Sequence, residues 1–202
     1  MNRCAWCGED SQYQHYHDTV WGRPERHSRE LFKKLCLDGQ QAGLSWITIL
    51  RKQAAYEDAF FDFDPYRMSL MTESDIEQQM QNTGIVRNRL KIESLIRNAR
   101  AYVAYEQQGD FAAFLWSFVD GKPMINQRRQ MSDIPTQTAE SLAMSKALKK
   151  LGFNFVGPTI CYAFMQACGL VMDHLVDCCV FDECRVLAER FDIERDQVKN
   201  DK

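Results

Sequence analysis

The side chains best suited to bind a metal lie at opposite ends of the chain. Cys4 and His17 are close to the N-terminus, and His174 precedes Cys178 by four residues, a spacing that puts both on one side of a helical turn. Thiolate sulfur and imidazole nitrogen are the usual ligands of tetrahedral structural zinc sites. These two pairs therefore predict a structural zinc site that joins the two ends of the chain.

Spacing alone leaves other ligand choices open. The chain has eight cysteines and four histidines. Cys7 forms a Cys-x-x-Cys pair with Cys4, and His15 is as well placed as His17. The remaining cysteines include three whose apolar surroundings favour simple burial as small hydrophobic side chains: Cys36, Cys161 and Cys168.

Aromatic side chains near one carboxylate could form a pocket of the size of a nucleobase. The carboxylate is Asp38, and the rings are Trp6, Tyr13, Tyr16, Trp21 and Trp46. Aromatic faces stack on bases and attract cations. The alternative is that the rings pack an ordinary core and that Asp38, next to Gly39, is a solvated residue at the end of a helix.

A possible anion site lies in the segment 146–164, which has the pattern of a helix, a glycine-bounded turn and a second helix. The free backbone N–H groups near Gly157 and Thr159 would suit a DNA phosphate. Basic residues occur nearby in sequence or in short clusters: Lys146, Lys149, Lys150, Arg87, Arg89, Lys91, Arg128 and Arg129. The alternative is a plain turn between two core helices, with solvated lysines.

Helices must position these residues, because helical periodicity dominates and no run alternates long enough to require a sheet. We expect helices over 29–37 ending near Gly39, 92–109, 139–151 ending at Gly152, and from Pro158 to about Gly169. A capping box is expected at 74–77. The fold class is therefore all-α. Residues 1–180 are predicted to form one compact domain, with scope for two helical lobes, and residues 181–202 a charged extension that is either helical or frayed.

Composition limits the classes of function. The net charge of −3 argues against a polybasic nucleic-acid binder, so any DNA contact must be local. The N-terminus has no apolar signal region, which favours the cytoplasm and reduced cysteines. The uncharged stretch 153–172 contains Asn154, Pro158 and Gln166, and we interpret it as a buried helix with no membrane span.

Several segments together resemble the bacterial 3-methyladenine DNA glycosylase I family, over roughly residues 3–180. They are the segments 3–6 (RCAW), 16–22 (YHDTVWG), 40–46 (QQAGLSW), 153–162 (FNFVGPTICY) and 166–174 (QACGLVMDH). The resemblance implies a helix-hairpin-helix glycosylase with one structural zinc per chain. It also implies the zinc ligands Cys4, His17, His174 and Cys178, and no metal role for Cys7 or His15.

The resemblance further implies a role for each residue of the site. Trp46 would stack on the damaged base, with Trp6, Tyr13 and Trp21 as walls, and Tyr16 and Asp38 would form hydrogen bonds with the base. The family pattern has Glu where this chain has Asp38, which is one methylene shorter; a bridging water or a shifted helix would compensate. Gly43 and Leu44 would fill the gap that the extruded nucleotide leaves in the DNA. Gly157 and Thr159 would bind the DNA backbone.

The implied activity is excision of alkylated adenine from double-stranded DNA by a monomer. The pocket motifs contain no lysine that could act as an amine nucleophile, so we expect a monofunctional hydrolase that leaves an abasic site. A zinc deaminase is excluded because its His-x-Glu and Pro-Cys-x-x-Cys motifs are missing. The remaining alternative is a zinc-stabilised module that binds DNA or protein without catalysis.

Overall fold

The computed structural model describes residues 2–193, and the regular secondary structure of this part of the chain is almost entirely helical. Its eleven α-helices are α1 (Ser11–Thr19), α2 (Ser28–Gln41), α3 (Trp46–Leu50), α4 (Gln53–Ala59), α5 (Pro65–Ser69), α6 (Glu73–Gln81), α7 (Arg89–Glu106), α8 (Phe111–Trp116), α9 (Ala139–Lys150), α10 (Pro158–Ala167) and α11 (Phe181–Arg190). Short 3-10 turns occupy Ala5–Cys7, Phe61–Phe63, Ser117–Val119 and Met131–Asp133. The all-α prediction is confirmed.

The structure contains a short two-stranded sheet that was not predicted from the sequence. Strand β1 (Met124–Ile125) pairs in parallel with β2 (Val171–Met172). Two residues per strand are too few to give a period-two pattern, so no sequence signal marks them. The pairing holds the segment after residue 123 beside the segment that follows α10. No helix among residues 2–193 is long and apolar enough to cross a membrane.

Helix α2 does not end near Gly39, as predicted, but continues to Gln41. A Cβ on Gly39 would lie 3.2 Å from Cβ of Phe155, in the turn between α9 and α10. The glycine therefore allows close contact between two elements, and is not a helix stop. Because α2 is longer than predicted, Asp38 lies inside the helix and is only 1% exposed. The alternative that Asp38 is a solvated residue at the end of a helix is therefore wrong.

Other boundaries follow local hydrogen bonding. The capping box of helix α6 begins at Thr72, two residues before Ser74, where it was expected. The Asp75 carboxylate accepts hydrogen bonds from the backbone N–H and the hydroxyl of Thr72. Helix α7 ends at Glu106, three residues before Gly109. The predicted ends of α9 at Gly152 and of α10 before Gly169 are confirmed, and both glycines have positive φ.

The start of the predicted C-terminal extension packs against the rest of the protein. Helix α11 buries Cys184 and Ala188, and the ring of Phe191 stacks on Trp116 with centroids 4.2 Å apart. The domain boundary after residue 180 stays a prediction. Of the 181–202 segment, residues 194–202 lie outside the described residues.

Candidate active site and metal cluster

An aromatic cavity of about 250 Å³ brings together all six residues expected to contact a base. Its lining comes from the first 3-10 turn, α1, α2, α3 and α10, and includes Trp6, Tyr13, Tyr16, Trp21, Asp38 and Trp46. The rings form a connected set: the Trp6 centroid lies 5.1 Å from those of Tyr13 and Trp21, and Tyr16 lies 5.4 Å from Trp46. Met131 and Ile134 complete the lining.

Three buried polar atoms of this cavity have no hydrogen-bond partner within residues 2–193. They are the indole nitrogens of Trp6 and Trp46 and Oδ2 of Asp38. A buried polar group without a partner costs about 1–3 kcal/mol, so native proteins seldom retain one without a reason. Two donors and one acceptor that face an aromatic cavity are what a site for a polar, planar ligand requires.

Burial and charge set the protonation of the two predicted base contacts. Burial raises the pKa of Asp38, and the ammonium of Lys34 opposes that rise. Burial also raises the pKa of Tyr16 well above its usual value, and the Asp38 charge adds to the effect. The Tyr16 phenol therefore stays protonated at neutral pH and keeps an O–H to donate.

Sequence reasoning missed Lys34, which lies in the same cavity. Its ammonium forms a hydrogen-bonded ion pair with Oδ1 of Asp38 and lies 4.0 Å from the centroid of the Trp46 ring. The pocket motifs themselves contain no lysine, but α2 brings one into the cavity from outside those motifs. The available signal was the i,i+4 spacing of Lys34 and Asp38, which brings two side chains together once α2 extends through Asp38.

The four predicted metal ligands form one buried cluster. The ligand atoms of Cys4, His17, His174 and Cys178 all lie within 4.8 Å of one another. The Cys178 sulfur is 3.5 Å from Nε2 of His17 and 3.6 Å from Nδ1 of His174, and the Cys4 sulfur is 3.7 Å from the same Nδ1. Two such ligands on a tetrahedral zinc ion would be about 3.6 Å apart, given the usual Zn–S and Zn–N bond lengths. The donor set and its spacing fit a metal.

Outer hydrogen bonds orient both imidazoles of the cluster. Nδ1 of His17 lies 2.8 Å from Asp18, whose carboxylate accepts two hydrogen bonds from Arg3. Nε2 of His174 lies 3.1 Å from the backbone oxygen of Trp21. Metal-bound histidines commonly have such partners on their second nitrogen, because these partners fix the ring and its tautomer. Cys7 and His15 lie outside the cluster within the described residues.

The metal cluster and the aromatic cavity share a wall. The Trp21 ring packs edge-on against His174 with centroids 4.6 Å apart, and the Trp6 ring lies 5.2 Å from that of His17. Both tryptophans also line the cavity. The position of these walls therefore depends on the position of the imidazoles.

A family model described as methyladenine glycosylase matches residues 6–181. The chain belongs to this family. It is 54% identical over 182 residues to DNA-3-methyladenine glycosylase 1 of Escherichia coli (strain K12), which covers 90% of this chain and 97% of that protein. A crystal structure of 3-methyladenine DNA glycosylase I superposes with a TM-score of 0.87 at 56% identity, covering 88% of this chain and 98% of the other.

Another solved relative concerns recognition of the base itself. A structure of the Staphylococcus aureus 3-methyladenine DNA glycosylase I, described as the structural basis of 3-methyladenine recognition, has a TM-score of 0.86 at 46% identity. It covers 89% of this chain and 96% of that one. The methyladenine glycosylase fold therefore extends over nearly the whole of both chains.

Two surface segments of this methyladenine glycosylase lie where DNA contacts were expected. Gly43 and Leu44 are exposed in the short loop between α2 and α3, and Leu44 is 41% exposed although it is apolar. Gly157 precedes α10 at its N-terminus and Thr159 is exposed in its first turn. The nearby Lys146, Lys149 and Lys150 of α9 are also exposed.

Part of the predicted basic surface has another role. Lys91 is buried, and its ammonium donates to the backbone oxygens of Gln40 and Ala42, each at 2.7 Å. Arg89 pairs with Glu73 and Glu77. Lys91 therefore satisfies carbonyl groups at the C-terminal end of α2, just before the Gly43–Leu44 loop, and does not belong to a DNA-binding surface.

Proposed function

We propose that this protein is a DNA-3-methyladenine glycosylase, which flips alkylated adenine out of duplex DNA and hydrolyses its N-glycosidic bond. The observation that carries the proposal is the unpartnered Asp38 oxygen, buried in a cavity whose walls are aromatic. The names of the relatives reported above support the same substrate class. Base flipping costs a few kcal/mol, which the pocket must recover by contacts with the extruded base.

Recognition would divide between stacking and charge. Trp46 would stack on the base, which is worth about 1–3 kcal/mol, with Trp6, Tyr13 and Trp21 as walls. Methylation at N3 gives the nucleobase a positive charge, and the Asp38 carboxylate and the ring faces would favour that charge over neutral adenine. Tyr16 would donate its phenolic O–H to the base.

The chemistry requires little acid catalysis, because the positive charge already weakens the glycosidic bond. The bond between the base nitrogen and C1′ breaks, its electrons leave with the base, and water adds to C1′ to give an abasic site. Lys34 is paired with Asp38 as an ammonium, which has no free electron pair for attack. We therefore propose a monofunctional hydrolase. Trapping of a covalent DNA adduct with borohydride would contradict this.

DNA would contact the two exposed segments described above. Leu44, with Gly43 beside it, would enter the gap left by the flipped nucleotide. The free N–H groups at the start of α10, near Gly157 and Thr159, would bind a phosphate, since a helix N-terminus favours anions. The exposed lysines of α9 would add a local positive surface to a chain whose net charge is −3.

The metal cluster would hold one structural zinc ion. Four protein ligands leave no open position for substrate, so zinc would supply cross-linking of the two chain ends and no reaction step. Metal analysis should find one zinc per chain, lost in a Cys4→Ala, Cys178→Ala double variant. A Cys179→Ala variant is the matched control, because Cys179 is the exposed neighbour outside the cluster.

Release of 3-methyladenine from methylated DNA tests the activity. DNA treated with a methylating agent is incubated with the protein, and the free bases are separated by chromatography. The proposal expects release of 3-methyladenine with intact strands; a zinc-stabilised binding module would bind the DNA and release nothing. The same chromatogram reports whether 3-methylguanine is released. We further propose that the protein acts as a cytoplasmic monomer and that residues 1–180 form the glycosylase domain, against which the following segment packs.

A further inference from the structure

Lys34 occupies the two positions that a positively charged base would use. Its ammonium pairs with the Asp38 carboxylate, whose side chain is 2% exposed, and lies over the face of Trp46. Both contacts are of the kind that would select a cationic base: an anion and an aromatic face. The side chain of Lys34 itself is only 15% exposed. The pocket without substrate is therefore already neutralised by an internal cation.

We propose that Lys34 is a resident counter-ion of the base pocket, which a cationic base displaces on binding. A buried carboxylate needs a partner, because removing its counter-ion leaves an uncompensated charge in a poorly solvated site. A positively charged base can replace the ammonium and keep Asp38 paired. A neutral base cannot, so it would meet either an occupied pocket or an unpaired carboxylate. Lys34 would in this way set the affinity of the pocket for cationic bases, a role that rests on the function proposed above.

The structure contains a place for the displaced ammonium. A second cavity of about 480 Å³ shares Tyr16 and Trp46 with the base pocket, and Lys34 lines both cavities. Glu30, one helical turn before Lys34 on α2, lines this second cavity. A lysine side chain has four flexible carbons and a strongly hydrated head, so it can turn towards Glu30 without movement of the helix.

The neighbouring residue Lys33 provides a matched comparison. It lies on the same helix with a similar exposure of 16%, but its ammonium pairs with Glu57 and lies 4.0 Å from Glu30. Lys33 does not line the aromatic cavity that contains Asp38. A Lys33→Met variant removes one positive charge from α2 and leaves the Lys34–Asp38 pair in place.

The first test observes Lys34 directly by NMR in the wild-type protein. The ring current of Trp46 should shift the NMR signals of the protons next to the ammonium. These signals are assigned by their absence from the spectrum of Lys34→Met. The ligands are 3,9-dimethyladeninium, which is permanently cationic, and neutral 9-methyladenine. The cationic ligand should return the Lys34 signals to the position of a solvated lysine. If these signals keep their displacement when the pocket is saturated with the cation, the exchange does not occur.

The second test compares the affinities of the same two ligands. Lys34→Met should raise the affinity for the cationic ligand by about tenfold or more, the value of one charged hydrogen bond, because the ligand no longer has to displace the ammonium from Asp38. Lys33→Met, which keeps the Lys34–Asp38 pair, should not reproduce this increase. An unaltered affinity for the cation in Lys34→Met would overturn the inference. Wild-type release of 3-methyladenine from DNA is measured in parallel: release without exchange refutes the counter-ion alone, whereas absence of release refutes the proposed function and this inference with it.

Discussion

Replacement of Asp38 by asparagine tests the central feature of the proposed pocket. Asn is nearly the same shape as Asp, so Asp38→Asn keeps the packing inside α2 and removes the negative charge. The variant also leaves Lys34 without its ion pair, but that side chain is partly exposed and can turn towards solvent. We therefore expect the variant to fold, with the melting temperature and the metal content of the wild type.

The loss of activity can be estimated from the contacts. A hydrogen bond to a charged group contributes about 1.5–3 kcal/mol, and each 1.36 kcal/mol changes a rate about tenfold. The full Coulomb energy of two close charges would be larger, but Lys34 already compensates part of the Asp38 charge. The expected decrease in kcat/KM for 3-methyladenine release is therefore about 10- to 150-fold.

The assay is the release of 3-methyladenine from methylated DNA over a range of pH. Burial raises the pKa of Asp38, so the ionised form, and with it the wild-type activity, should be lost as pH falls through a value above the ordinary carboxyl range. Asp38→Asn should lack this acidic decline. Asp182→Asn, a charge removal on α11 at a side chain that is 87% exposed, is the control and should keep both rate and decline. Full activity of Asp38→Asn would refute the role given to this carboxylate.

Three other substitutions test how the site is supported, each by chemical unfolding. Gly22→Ala should lower the free energy of unfolding by more than about 1 kcal/mol, because its Cβ would lie 2.8 Å from the His174 imidazole. Gly43→Ala is the control, since Gly43 has a similar positive φ but no atom within 4 Å of an added Cβ. A larger loss of stability in Gly43→Ala than in Gly22→Ala would contradict the steric reasoning. Lys91→Met should lower the free energy of unfolding by about 1–3 kcal/mol, because two backbone oxygens at the end of α2 lose their hydrogen-bond donor. An unchanged stability would mean that water molecules take the place of the lysine ammonium. Phe191→Ala should lower the free energy of unfolding by about 3–5 kcal/mol, because the ring stacks on Trp116. Leu187→Ala is the control on the same C-terminal segment and should have little effect, since Leu187 is 40% exposed. Equal effects of the two substitutions would argue against a packed extension.

The metal ligands and the aromatic residues of the cavity were predictable from the resemblance, whereas residue types and spacing alone left other ligands and an ordinary aromatic core as alternatives. Cysteine and histidine have few roles besides metal binding that require four of them together, and the resemblance selected Cys4 and His17 over Cys7 and His15. The ends of α9 and α10 were predictable for another reason, since Gly152 and Pro158 act through local backbone geometry.

What the sequence did not reveal depends on tertiary contacts. Gly39 has the local pattern of a helix stop, yet it lies within α2 because Phe155 requires a close approach. Lys34 and Lys91 have the composition of solvated surface residues, but one enters the base pocket and the other binds carbonyl groups. A lysine has a long stem, so neighbours far away in sequence decide where its ammonium lies.

The shared wall between cavity and metal cluster has a consequence for biosynthesis. Trp6 and Trp21 pack against imidazoles whose positions depend on His174 and Cys178, which follow them far along the sequence. A chain that emerges from the ribosome has the aromatic residues early, but cannot fix them until residue 178 has been translated. Products terminated before residue 178 would therefore lack a finished base pocket.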